Sequence, residues 1–189
     1  TNLGYLLQIE GSNRVLGVDV PNGEELLGYM DREGFTLSAL LLTHTHHDHV
    51  NGLEEVVRQT GCRLHAAEPV SSLPRVHVTD RMEWQLEGLT VLALDTSGHS
   101  PLDVSYVLPD LNLCFCGDTL FEWGCGRMFA GPAETLWASL DRLRSLPDET
   151  RFCPGHDFRE DNEAFLRGEC SRWSACDPIL YLIRESREN

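Results

Sequence analysis

Half of the eight histidines in this sequence lie within one stretch of six residues, which also contains an aspartate. His44 and His46 are two residues apart, so an extended backbone directs both imidazoles to the same side. Asp48 and His49 follow at the predicted turn into the next helix, where they can face a neighbouring point. Imidazole and carboxylate groups suit zinc or iron(II). The stretch therefore predicts a metal site, from which we exclude His47 because it breaks the alternation.

Three further segments place a glycine next to a histidine or an aspartate directly after a predicted strand. They are Ser97-Gly98-His99-Ser100 after strand 89–94, Cys116-Gly117-Asp118-Thr119 after strand 112–116, and Pro154-Gly155-His156-Asp157 after a strand near 151–153. Glycine tolerates unusual backbone angles and lets the chain approach a bound ion closely. Together with the histidine cluster, these segments predict that distant strand ends complete the metal site.

The elements that must position these segments alternate between short strands and helices. The sequence predicts strands at 5–9, 14–20, 37–42, 62–66, 75–78, 83–86, 89–94, 103–108, 112–116 and near 151–153. It predicts helices at 23–32, 52–59, 134–145, 159–168 and 178–187. Strands dominate both halves of the chain, which fits an α/β fold with two sheets packed face to face and helices outside, an αββα sandwich.

The length of 189 residues is that of one domain with at most a small appendage. We expect a catalytic domain at 1–158 and a short helical C-terminal tail at 159–189 packed on it. The charge is strongly acidic, with 30 Asp and Glu against 15 basic residues, all of them Arg, and a net charge of −15. Such a chain repels polyanions, so we predict no nucleic-acid partner and no binding to an anionic membrane surface.

The sequence has no apolar stretch near the roughly 20 residues that a membrane span needs. Its first ten residues have no basic segment followed by an apolar core, so they do not resemble a signal peptide. The seven cysteines have no metal-knuckle spacing, and Cys114 and Cys116 are predicted on one face of a strand. We interpret the cysteines as reduced thiols, which predicts a cytoplasmic location.

These motifs resemble the metallo-β-lactamase superfamily, whose signature is H-x-H-x-D-H followed by a later His, Asp and His. Within it, the sequence most resembles hydroxyacylglutathione hydrolase (glyoxalase II). The added support comes from the segments GDTLF at 117–121, GCGR at 124–127 with Gly131, and PGHDF at 154–158. The similarity extends from about Asn2 to His156. It implies the αββα metallo-β-lactamase fold with a dinuclear site between the sheets.

The resemblance also implies the metal ligands and the reaction. It implies that one divalent ion is held by His44, His46 and His99, that a second is held by Asp48, His49 and His156, and that Asp118 bridges both. Zinc is the favoured ion, with iron or manganese as alternatives. Asp48 and Asp118 are the catalytic carboxylates, and a metal-bridging hydroxide would attack a thioester carbonyl. Asp19 would accept a hydrogen bond from a ligand histidine, with a turn-capping role as the alternative.

Three residues occupy positions that contact substrate in the family, and they differ from it in part. Arg127 keeps a basic group that can hold a carboxylate. Phe129 and Phe158 stand at tyrosine positions, so both hydroxyl donors are missing. Only 33 residues follow His156, fewer than the family's helical domain contains. We therefore expect a small anionic thioester as substrate, S-lactoylglutathione or a related acyl-thiol, and a monomer or a small homo-oligomer.

Several alternatives remain open at this point. A persulfide dioxygenase-like oxidoreductase shares the fold and the Gly-Cys-Gly-Arg turn, but it uses one iron held by two His and one Asp. A hydrolase of the same fold acting on a lactone or another ester is a second alternative. A non-catalytic metal-binding domain is the third, although all seven ligands are present here.

Overall fold

The computed structural model describes residues 2–169. The first sheet contains five strands in the order β1 (Tyr5–Gln8), β2 (Arg14–Val18), β3 (Thr36–Leu41), β4 (Arg63–Ala66) and β5 (Arg75–His77). β1 is antiparallel to β2, and the other neighbours are parallel. The parallel strands therefore end at one edge of the sheet, where β3 leads into the histidine cluster.

The second sheet also has five strands. They are β6 (Glu83–Leu86), β7 (Leu89–Asp95), β8 (Val104–Leu108), β9 (Leu113–Gly117) and β12 (Arg151–Pro154), in the order β12-β9-β8-β7-β6. β7 and β9 both run antiparallel to β8, and β12 runs parallel to β9. The carboxyl ends of β7, β9 and β12 therefore lie at the same edge. A short hairpin of β10 (Leu120–Phe121) and β11 (Gly124–Cys125) follows β9.

Five helices complete the described part of the chain. They are α1 (Gly23–Glu33), α2 (His47–Val50), α3 (Leu53–Thr60), α4 (Ala133–Arg144) and α5 (Arg159–Glu169). The Asn22 side chain accepts a hydrogen bond from the Glu25 amide at the start of α1. Gly34 and Gly61 end α1 and α3 in the left-handed conformation. None of the described helices is long and apolar enough to cross a membrane.

The apolar side chains between the two sheets form the central core. Leu16 and Leu41 of the first sheet face Val91, Tyr106 and Phe115 of the second. The Tyr106 hydroxyl donates to the carbonyl oxygen of Leu42 (2.9 Å), which satisfies a polar group inside this core. The central layer therefore fixes the two sheets against each other with both carboxyl edges at one end.

The helices cover the outer faces of both sheets. Met30 of α1 and Val56 of α3 belong to the core cluster on the outer face of the first sheet. Leu143 of α4 packs with Cys114 and Cys116 on the outer face of the second sheet, so the two cysteines share one face as predicted. The structure confirms the predicted αββα sandwich.

The strand and helix predictions agree with the structure to within a few residues in the described part of the chain. Three short elements were missed, the four-residue helix α2, a single 3₁₀ turn at Pro109–Leu111 and the hairpin of β10 and β11. The helix predicted at 178–187 lies outside the described residues. The division of the chain at residue 158 therefore stays a prediction, although α5 does begin at Arg159.

We expect the change Leu108→Ala to lower the free energy of unfolding by about 2–5 kcal/mol, because it removes a core side chain that is 1% exposed. Leu102→Ala is the matched control, since that side chain is 44% exposed, and it should cost less than about 1 kcal/mol. Urea unfolding in the presence of a chelator measures both values. Equal losses in the two variants would contradict the assigned core.

Candidate metal centre

All seven ligands predicted from the sequence lie together at the carboxyl edges of the two sheets. His44 and His46 follow β3, His49 and Asp48 belong to α2, His99 follows β7, Asp118 follows β9, and His156 follows β12. The Val104 amide donates to the Thr43 carbonyl (2.9 Å), which joins the second sheet to the first beside the cluster. The cleft between the sheet edges is thus lined from both sides.

The first group of ligand atoms consists of three imidazole nitrogens. The Nδ1 atom of His46 lies 3.1 Å from His44 Nε2 and 2.8 Å from His99 Nε2. Burial, together with neighbouring histidines, lowers the pKa of all three imidazoles, to about 2 for His44. The three rings are therefore neutral near pH 7, which is the form that binds a metal ion.

The second group consists of Asp48, His49 and His156, whose ligand atoms lie within 4.8 Å of one another. The Nε2 atom of His156 is 3.3 Å from Asp48 Oδ2. Asp48 and His49 belong to helix α2, which begins directly after His46. His46 has an extended backbone, and its carbonyl oxygen accepts a hydrogen bond from the His49 amide (2.9 Å). His49 also lies beside the first group, because its ring centroid is 4.1 Å from that of His44, and His44, His49 and Asp118 form a third set of close ligand atoms.

The Asp118 carboxylate lies between the two groups. Its Oδ2 atom is 3.1 Å from His156 Nε2 and 3.5 Å from His99 Nε2, and its Oδ1 atom is 3.3 Å from His49 Nε2. Burial raises the pKa of Asp118, but contacts with His156 and His49 outweigh burial and hold it well below the usual range. Asp118 is therefore an ionised carboxylate in reach of both groups.

Two buried atoms at this point, His49 Nε2 and Asp118 Oδ1, lie 3.3 Å apart but form no well-aligned hydrogen bond within the described residues. A buried polar atom without a partner costs roughly 1–3 kcal/mol, and a cation between the two would satisfy both. Burial alone would lower the pKa of His49, but the carboxylates of Asp118 and Asp19 raise it to about 10, so the site favours positive charge. Imidazoles, carboxylates and unpaired atoms together fit divalent metal ions.

Asp19 orients two of the histidines. Its Oδ2 atom accepts hydrogen bonds from His49 Nδ1 and from the Thr43 hydroxyl, both at 2.7 Å. The Thr43 hydroxyl oxygen can in turn accept from His44 Nδ1, which lies 3.1 Å away. When a metal ion replaces the second proton of His49, both imidazoles present Nε2 to the site as a ligand. The sequence predicted a contact of Asp19 with one histidine, but it did not reveal the relay through Thr43.

A main-chain group orients the third histidine. The carbonyl oxygen of Arg127 accepts a hydrogen bond from His99 Nδ1 (2.9 Å), and the Phe129 amide donates to the His99 carbonyl. A side chain at Gly126 would collide with the Asp118 carbonyl oxygen, so this close approach requires glycine. The sequence did not reveal this role, because the Gly-Cys-Gly-Arg turn indicates a close approach of the main chain but not which carbonyl group accepts.

Glycine is equally necessary behind the second group. A Cβ atom at Gly155 would collide with Asp118 Oδ1 and would lie 2.5 Å from the His49 ring. The Gly155 amide donates to the carbonyl oxygen of Gly117 (2.8 Å), which ties the loop of His156 to the loop of Asp118. Gly155 thus permits a close approach to the side chains of two predicted ligands, whereas the expected approach to a bound ion stays a prediction.

The three predicted substrate contacts lie in different positions. The Arg127 side chain is exposed and forms no ion pair within the described residues. The Phe129 ring is 66% exposed and lies edge-on to the His46 and His99 rings, with centroid distances of 5.7 and 5.4 Å. Arg127 and Phe129 therefore flank the opening of the first group.

Phe158 is half-buried and stacks on the ring of His156, with centroids 4.8 Å apart and an interplanar angle of 14°. It therefore supports a predicted ligand, and its contact with substrate stays a prediction. His47 and Asp103 belong to none of the metal-binding groups in the described chain. Asp103 instead accepts a hydrogen bond from the Ser100 amide (2.6 Å), which shapes the loop of His99.

The profile of the metallo-beta-lactamase superfamily matches residues 16–86 and 85–156 of this chain. These ranges contain all seven residues gathered at the sheet edges. The chain belongs to the metallo-beta-lactamase superfamily.

Curated relatives give the nearer similarity. A hydroxyacylglutathione hydrolase from Rhodopseudomonas palustris is 35% identical over 170 residues, covering 88% of this chain and 67% of the relative. A protein of the same name from Chromohalobacter salexigens is 34% identical over 187 residues, with 90% and 73% covered. The chain spans about two thirds of the length of most of these relatives. The predicted resemblance to this group is confirmed.

Solved structures agree with the fold. BLEG-1 B3 metallo-beta-lactamase matches with a TM-score of 0.73 and 26% identity, covering 81% of this chain and 85% of that chain. ETHE1 from Myxococcus xanthus matches with a TM-score of 0.74 and 30% identity, covering 84% of this chain and 72% of that chain. TTHA1623, crystallised in a di-iron-bound form, matches with a TM-score of 0.70 and 29% identity, covering 82% of this chain and 90% of that chain.

We expect Asp19→Asn to weaken zinc binding by about 10- to 100-fold, because the amide has one acceptor oxygen where the carboxylate has two. Asp31→Asn on the exposed side of α1 removes the same charge far from the site and serves as the control. Competition titration with a chromophoric chelator measures both affinities. Equal affinities in the two variants would exclude an orienting role for Asp19.

Proposed function

We propose that this protein is a metal-dependent hydrolase that cleaves a thioester, S-lactoylglutathione or a related acyl-thiol. The observation that carries the proposal is the Asp118 carboxylate, which lies within 3.5 Å of ligand atoms from both groups. Such an arrangement suits two divalent ions that share one ligand. The curated relatives of that name support the choice of a thioester.

Two bound divalent ions would lower the pKa of a water molecule and polarise the substrate carbonyl. The residues of this chain provide the conditions for that chemistry. Asp19 holds a proton on His49 Nδ1 and, through Thr43, on His44 Nδ1, so both Nε2 atoms stay available as ligands. The carbonyl of Arg127 does the same for His99. No nucleophilic side chain is needed, and Cys125 is half-buried in a turn outside the ligand groups.

The opening of the site suits a small anionic substrate. Arg127 lies beside the first group, and its exposed guanidinium forms no ion pair with any residue of the described range 2–169, in a chain whose net charge is −15. The exposed Phe129 ring adds an apolar surface next to it. A carboxylate of the thiol half would bind Arg127 while the thioester carbonyl reaches the metal centre. The acidic remainder of the protein disfavours a large polyanion.

The persulfide dioxygenase-like reading with a single iron is the second candidate, because ETHE1 from Myxococcus xanthus is a close structural neighbour. The complete group of Asp48, His49 and His156 favours two ions instead, as does the similarity to a di-iron-bound structure. Lactone or other ester hydrolysis would use the same site and differs only in substrate.

We also propose that zinc is the native ion and that the protein acts in the cytoplasm. His and Asp ligands accept zinc, iron or manganese, so the choice depends on availability in the cell. All five cysteines in the described part of the chain are free thiols, which supports a reducing compartment.

Metal quantification combined with a substrate panel tests the proposed function. The purified protein should contain two divalent ions per chain and should hydrolyse S-lactoylglutathione or another acyl-thiol faster than the matched oxygen ester. Chelator treatment should remove both the ions and the activity, and zinc should restore them. One iron per chain with consumption of oxygen would contradict the hydrolase and favour the second candidate.

Asp118→Asn provides the matched variant for this experiment, because it keeps the size of the side chain and removes its charge. It should lower the metal content and abolish turnover. Asp141→Asn, on the exposed face of α4, should leave both unchanged. Full activity of Asp118→Asn would exclude a shared ligand at this position.

We expect Arg127→Ala to raise KM for an anionic thioester by about 10- to 100-fold, the equivalent of one charge-assisted hydrogen bond. The turnover number should change less, because the main-chain carbonyl that holds His99 remains. Arg58→Ala on the exposed face of α3 is the control. Steady-state kinetics measures the split, and an unchanged KM would mean that Arg127 does not contact the substrate.

A further inference from the structure

Residues 2–5, here called the strap, cross from the edge of one sheet to the edge of the other. β1 is an edge strand of the first sheet, and β12 is an edge strand of the second. The Tyr5 hydroxyl donates to the carbonyl oxygen of Pro154 (2.7 Å), and the Leu3 amide donates to the carbonyl oxygen of Gly155 (2.8 Å). The strap therefore closes this side of the cleft between the sheets.

Asn2 extends the strap onto the ligands themselves. It forms an antiparallel bridge with His156, the ligand that follows β12. Its Nδ2 atom also donates to the carbonyl oxygen of Asp48 in α2 (3.2 Å). One residue thus joins the main chain of two ligands that come from different sheets.

Tyr5 of the strap is held by ring packing, and its hydroxyl stays a hydrogen-bond donor. Its ring packs edge-on against Phe115 of β9, with centroids 5.2 Å apart. Burial raises the pKa of the Tyr5 hydroxyl above its ordinary value, so the group stays protonated and remains a donor. The hydroxyl therefore remains able to donate its hydrogen bond to Pro154 at neutral pH.

The first ligand group has different supports. His44 is held through Thr43 and Asp19, and His99 is held by the carbonyl oxygen of Arg127. Within the described residues, no hydrogen bond joins the strap to any member of that group. The two groups share Asp19 as a support, but a change in the strap removes no hydrogen bond from the first group.

We propose that Asn2 and Tyr5 are positioning residues that hold Asp48 and His156 at ligand spacing and so set the affinity of the second metal position. Asp48 Oδ2 and His156 Nε2 are 3.3 Å apart, although Asp48 follows β3 of the first sheet and His156 follows β12 of the second. Without the strap, only contacts further inside the cleft would fix that separation. The inference rests on the proposed dinuclear site.

Zinc titration of the full chain against a chromophoric chelator tests the inference, with wild type, Asn2→Ala and Tyr5→Phe compared. Each variant should weaken the second zinc equivalent by about 10-fold, and the first equivalent should stay within about 2-fold of wild type. Asn13→Ala is the matched control, because its Nδ2 also donates to a backbone carbonyl, that of Gly34, far from the site. Tyr29→Phe is the control for the second variant.

The unfolding temperature of the metal-free protein is measured beside each titration. Equal weakening of both equivalents, or an unchanged second equivalent, would overturn the role of the strap. Tyr5→Phe keeps the ring and its packing, so it carries the test if Asn2→Ala does not fold. A wild-type stoichiometry of one would instead overturn the proposed dinuclear site, and the strap's role with it.

Discussion

The buried carboxylate of Asp118 is the interaction around which the site is organised. A charge with little access to water is costly unless opposite charges or donors surround it. Here the surroundings are imidazoles from both sheets, and two of the nearby atoms remain unpaired. The fold satisfies this charge only when the edges of the two sheets stay together, so the packing of the sandwich and the metal centre depend on each other.

Hydrogen-bond acceptors behind the histidines hold these imidazoles in place. Neutral imidazoles need a fixed proton on the nitrogen that faces away from the ion, and the fold provides an acceptor for each of three rings. Two of these acceptors trace back to Asp19, which stands at the end of β2 with a left-handed φ of 55°. A non-glycine residue in that conformation is uncommon, and its carboxylate serves three hydrogen bonds at the base of the site.

Much of this arrangement could be predicted from the sequence, because strand ends and ligand types both leave strong patterns. The histidine cluster after β3 and the glycine-flanked residues after three other strands identified all seven side chains now found together. The main-chain role of Arg127 was missed because a carbonyl group has no signature in the sequence. Helix α2 and the hairpin of β10 and β11 were missed because two to four residues carry no periodicity.

Arg127 contributes two groups to the site that point to different partners. Its carbonyl oxygen is fixed on His99, whereas its guanidinium reaches into solvent beside the opening. Under the proposed function, the anion-binding group is therefore tethered to a main chain that is fixed beside the metal centre, and its distance from that centre is limited by the length of one arginine side chain. Acyl-thiols would then be selected by the number of bonds between their carboxylate, which binds Arg127, and their thioester carbonyl, which reaches the metal centre.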